Sequence, residues 1–207
     1  DRRWPLWRAV TGLILLPLLV ASAFADIPPQ RRAMQMLKFE HFRAGIDKDP
    51  AWHWTGESRV GRSQVLVARS PAHYYPPITV SLEVYAHQFV RGDVQALKAF
   101  SRGLLERLAD SFGASGATPD LEAVRTGELD GYAIRFSGVL AGERQAIYLM
   151  AARNRADRLV RFTATTLPGK LPAAMPALER IWKTLEFPES ALGQYPGQTD
   201  PNPLTQT

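Results

Sequence analysis

Between residues 121 and 167 the chain offers four candidate strands separated only by short turn sequences, and this succession constrains the fold more than any other feature. The strand segments are 121–127, 131–140, 144–153 and 158–167, and the breaks carry Asp130-Gly131, Ala141-Gly142 and Asn154-Arg155-Ala156-Asp157. Gly, Asn and Asp tolerate the left-handed backbone that tight hairpins require. Parallel neighbours would need a crossover of a dozen or more residues, so these strands must pair antiparallel. The run is preceded by residues 78–85, where Ile78, Val80, Leu82 and Val84 alternate with Thr79, Ser81, Glu83 and Tyr85. That period of two is a half-buried strand. Residues 64–69 read as a further short strand, while 33–42 fit a short helix or a strand equally well.

Two segments have a helical period instead. Val94, Leu97, Phe100, Leu104, Leu108 and Phe112 recur at intervals of three and four, with Asp93 placed to cap the start and Gly113 to end it. Residues 171–185 place Met175, Leu178, Ile181, Trp182 and Leu185 on one face. The fold class is therefore α+β: an antiparallel β-sheet flanked by helices, an α/β/α sandwich.

The N-terminus gives an address. Arg2, Arg3 and Arg8 precede an apolar stretch that closes on Ala23-Phe24-Ala25, the form of a signal peptide cleaved after Ala25. Its uncharged run, 9–25, lies at the lower limit of the ~17–25 residues that span hydrocarbon. Pro17 interrupts it. The domain reading is signal peptide 1–25, a single α+β domain over 26–187, and a disordered Pro-rich tail over 188–207. About 160 residues in one domain bury roughly 70% of the unfolded surface. The expected location is the periplasm, with an inner-membrane anchor as the alternative, and membrane contact is expected only if the leader stays attached. The chain has no cysteine, so no disulfide framework supports it. Net charge falls from +5 to +3 once the three arginines and one aspartate of residues 1–25 are set aside. The remaining arginines are scattered, which excludes a nucleic-acid partner. The densest group, Arg153, Arg155, Arg158 and Arg161, suggests a local anion-attracting edge.

Motifs for chemistry are thin. Gly56–Ser63 matches the spacing of a phosphate-binding loop, but Arg62 replaces the lysine and a strand follows where a helix is needed. Ser115 stands in Gly-Ala-Ser-Gly-Ala, without the second glycine of a nucleophile elbow. His41, His53, His73 and His87 form no ligand pair, and the acidic pairs Asp47/Asp49 and Glu128/Asp130 flank turns. No catalytic residue, metal site or cofactor is therefore assigned, and the chain is read as a non-enzyme. The best handle is aromatic. Trp52, His53, Trp54, Tyr74 and Tyr75 sit in irregular segments and form the candidate ligand or partner surface, since Trp and Tyr combine large contact area with a polar tip. The competing reading is that they close one end of the core.

The runs PITVSLEVYA, VQALKAFSRGLLERL, LDGYAIRFSG, RQAIYLMAARNRADRLVRFTATTL and AAMPALERIWKTLEF resemble, in order and spacing, the superfamily of PsbP-like and Mog-type proteins, which includes DcrB-like bacterial envelope proteins. The resemblance covers residues 78–187. It implies an antiparallel sheet between helices and a binding or assembly module acting on another envelope protein. The alternative is a small-ligand or lipid-binding protein with an aromatic-edged pocket. It carries over no site residue.

Overall fold

The computed structural model describes residues 33–48, 50–59, 63–114 and 120–188. The expected leader, Asp49, the centre of the Gly56–Ser63 segment, Ser115 and all but the first residue of the expected tail lie outside them. In chain order the elements are β1 (Met34–Lys38), β2 (Arg43–Asp47), β3 (His53–Arg59), β4 (Ser63–Arg69), β5 (Ile78–Phe89), α1 (Val94–Ser111), β6 (Glu122–Thr126), β7 (Leu129–Leu140), β8 (Glu143–Arg153), β9 (Arg158–Thr166) and α2 (Leu171–Lys183). β3 to β9 form one seven-stranded sheet in the order β3-β4-β5-β9-β8-β7-β6, antiparallel throughout. β1 and β2 make a separate two-stranded ribbon.

Alternation along β8 separates the two layers. Tyr148, Met150 and Ala152 face the core beneath α2, whereas Ile147, Leu149 and Ala151 face the core beneath α1. The α+β sandwich follows, because each helix has one apolar stripe and the sheet has two apolar faces. Asp93 caps α1 as expected, its carboxylate accepting from the Ala96 N–H at 2.8 Å. The ribbon packs on the α2 side. Phe42, Ala44 and Ile46 are fully buried there, and each such apolar side chain contributes roughly 1.5–3 kcal/mol or less as its size falls. Gly45 lets β2 approach the end of α2: a Cβ there would lie 2.8 Å from Thr184 Oγ1, which instead accepts from the Gly45 N–H.

Some expectations shift. The ambiguous 33–42 segment contains a strand, β1, and the strand begun at Ile78 runs on to Phe89 with a register irregularity after Val84. The turn expected at Asp130-Gly131 is formed by Gly127 and Glu128, because Gly127 takes the left-handed backbone at φ 55°. Gly131 lies inside β7, where a Cβ would run into the β8 backbone at Ala151 and Ala152. The Ala141-Gly142 turn forms with both residues at positive φ, 52° and 83°.

Candidate binding surfaces

The five aromatic-end residues do not form one cluster. Trp52 is buried and meets Tyr74 edge-to-face at 5.6 Å. Beside this pair Arg180 of α2 holds the buried Asp47 through two hydrogen bonds of 3.2 and 2.8 Å. Trp52 and Tyr74 therefore close one end of the core. Trp54 is different: 44% exposed on β3, it meets Phe39 edge-on at 6.3 Å. Tyr75 stands 69% exposed with the Lys170 ammonium 5.7 Å from its ring centre. His53 is exposed and, one residue from Trp54 on a strand, points to the opposite face of the sheet.

Trp54 belongs to an open edge. β3 pairs with β4 over its whole length, is exposed at all seven residues, and has no strand beside its other side among the described residues. Gly56 sits at its middle as a seat for the Phe39 ring, which stacks on Phe42 at 4.6 Å. This explains the glycine that opened the apparent phosphate loop. Gly56 and Ser63 belong to two paired strands, the geometry opposite to a strand-loop-helix anion site.

On the sheet face that carries α1, a buried ionic cluster lies beyond the helix. Glu83 on β5, 3% exposed, accepts from Ser63 Oγ at 2.7 Å and Tyr85 hydroxyl at 2.9 Å, and pairs with Arg161 and Arg59. Burial, then the hydrogen bond to Glu83, pushes the Tyr85 hydroxyl up to about 12, against the pull of Arg161. Sequence reading missed this cluster, because only the β5–β9 register brings Glu83 opposite Arg161.

The expected arginine edge dissolves into partnered groups. Arg158 is 3% exposed, Arg161 is bound to Glu83, and Arg155 pairs with Glu128 at 3.9 Å. Arg153 donates to the Gly92 carbonyl at 2.8 Å and pairs with Asp157 and Asp130. The recess of about 300 Å³ beside Arg153, Arg155, Glu128 and Asp130 is thus lined by charges that neutralise one another. Of the acidic pairs, Asp47 is committed to Arg180 and Asp130 to Arg125 and Arg153. Among the described residues no three His, Asp or Glu side chains converge on a metal position. Burial lowers the pKa of His41, Arg158 and His87 lower it further, and Glu40 opposes them.

A second recess, about 280 Å³, runs between β6 and α2. It lies where α2, packed on β2, β8 and β9, stops short of β6, and Val124 of β6 faces Met175 and Trp182 of α2 across it. Tyr148 and Trp182 line it, their rings tilted together at 5.0 Å.

No protein-family model and no curated protein matches this sequence. Several solved structures are similar, two of them as follows. One is a Bacteroides thetaiotaomicron VPI-5482 protein, 16% identical with a TM-score of 0.41 over 71% of this chain, of which this chain spans 45%. The other is LpqN of Mycobacterium tuberculosis, described as involved in cell envelope biogenesis, 14% identical with a TM-score of 0.45 over 76% of this chain and 92% of its own. Among the described residues no helix is long and apolar enough to cross a membrane.

Proposed function

We propose that this chain is a non-enzymatic binding module of the bacterial envelope, exported by the leader over 1–25, which docks another envelope protein along β3. The observation that carries the reading is the edge itself. Natural sheets guard their edges with short strands, bulges, proline or charged side chains; β3 is seven residues long, in unbroken register and without proline, and carries charge only at Glu57 and Arg59 toward one end. An extended segment of a partner gains main-chain hydrogen bonds along such an edge, and exposed side chains confer choice of partner. Trp54 supplies a large anchor already held against Phe39, so little side-chain entropy is lost on docking. Glu57 and Arg59 flank the contact and limit self-association. The resemblance of residues 78–187 to PsbP-like and Mog-type proteins supports a binding role over a catalytic one. A pocket edged by all five aromatic-end residues is the weaker reading, since Trp52 and Tyr74 fill each other's space.

The test places a photo-crosslinking residue at position 55 in the full chain, expressed in its own envelope, with position 98 on α1 as control. Strand addition gives one dominant adduct at 55, absent at 98 and lost in Trp54→Ala, while circular dichroism of that variant stays native. Equal adducts at both positions, or adducts indifferent to Trp54→Ala, refute docking at β3. N-terminal sequencing of the exported protein checks the leader, with Asp26 as the expected first residue.

A further inference from the structure

The β6–α2 groove has the features of a small-ligand site, independent of the β3 edge. Its apolar walls are Met175 and Trp182 from α2 and Val124 from β6. At its base lies Tyr148, 1% exposed, whose hydroxyl makes no hydrogen bond to another described residue. The indole N–H of Trp182 is buried without an acceptor. Buried polar groups normally find partners, and an unmet one costs about 1–3 kcal/mol. Arg135 lies over the Tyr148 ring at 5.9 Å, and its five-donor guanidinium is engaged in the groove by Glu122 at 2.9 Å. Hydrogen-bond donors outnumber acceptors: the charged groups balance, Arg135 and Lys183 against Glu122 and Glu179, and Tyr148 and Trp182 are added on the donor side, while Arg125 is taken by Asp130.

We propose that this groove binds a small organic carboxylate with a compact apolar body. The carboxylate takes donors from the Tyr148 hydroxyl and Arg135, in competition with Glu122, and the apolar body lies between Val124, Met175 and Trp182. Pockets for drug-sized ligands hold ~300–1,000 Å³, so this one suits a ligand on the order of ten to fifteen non-hydrogen atoms. A cation is the less favoured occupant, because its one unengaged carboxylate, Glu179, faces Lys183 a helical turn away.

The test is calorimetric titration of the folded chain with 4-phenylbutyrate, octanoate and N-acetylphenylalanine, each beside its primary amide, and with 4-phenylbutylamine. At least one carboxylate is expected to bind about tenfold more tightly than its amide, the worth of one charge-assisted contact. Tyr148→Phe, which keeps the packed ring, weakens that carboxylate about three- to tenfold, and Arg135→Gln weakens it about tenfold. Glu122→Gln strengthens binding by releasing Arg135, whereas Arg69→Gln, which makes the same charge change as Arg135→Gln at a remote site, leaves it unaltered. The proposal is overturned if no carboxylate binds better than its amide, if 4-phenylbutylamine binds best, or if Arg69→Gln acts as strongly as Arg135→Gln.

Discussion

Replacing Asp47 by alanine tests how the β1–β2 ribbon is tied to the rest of the molecule. Asp47 is 3% exposed and accepts from Nε and Nη2 of Arg180 at 3.2 and 2.8 Å. Arg180 also donates Nη1 to the Pro176 carbonyl at 3.1 Å, so its head is fixed on α2 and cannot follow the loss by swinging away. Removing one partner of a buried ion pair costs about 3–5 kcal/mol, since the survivor keeps its desolvation cost without the attraction. The Arg180 side chain retains 14% exposure, which allows some rehydration and places the expectation near the lower limit, about 3 kcal/mol. For a domain of this size that lowers Tm by roughly 6–12 °C. Urea unfolding, followed by circular dichroism and tryptophan fluorescence, measures it. Asp47→Asn falls between wild type and Asp47→Ala. Replacing both partners by apolar residues, Asp47→Leu with Arg180→Met, removes charge from both sides and stays within about 1 kcal/mol of wild type. A cost below about 1 kcal/mol for Asp47→Ala, or a double variant as unstable as the single one, would refute the argument.

Four further outcomes follow from the same reasoning. Glu83→Ala strands Arg161, Ser63 and Tyr85 together and is expected to cost about 2–4 kcal/mol, read from urea midpoints, with Glu83→Gln milder. Because the Tyr85 hydroxyl is raised from 10.0 to about 12, its contribution is intact below pH 10.0 and is lost as pH rises toward about 12; Tyr85→Phe should flatten that alkaline decline. His41 has the opposite sign, with a pKa lowered from 6.5 by burial, so the fold favours its neutral form and loses stability as pH falls below 6.5. An unchanged acid slope in His41→Gln would contradict this. Gly56→Ala drives a methyl group into the Phe39 ring and is expected to cost about 1–3 kcal/mol by thermal melting, less in a Phe39→Ala background.

Local pattern made the elements legible. The alternation from Ile78 to Val84 produces the buried face of β5, and the three- and four-residue spacing after Asp93 produces α1, because both periods are properties of a short stretch of backbone. The short turns of 121–167 likewise require antiparallel pairing by their length alone. The aromatic end was only half legible. Trp52 and Trp54 are two residues apart, yet one fills the core and the other stands exposed, and that choice belongs to Tyr74 and Phe39, which reach them from other segments.

Local sequence alone therefore specifies the antiparallel α+β architecture and its two amphipathic helices. That Gly56 seats a ring and that four clustered arginines are partnered depends on how the chain packs. So does the meeting of Glu83 with Arg161 across 78 residues and of Asp47 with Arg180 across 133. Secondary structure follows from periods within a dozen residues. A side chain's surroundings follow from which strands lie side by side and in which register, and no local period encodes that.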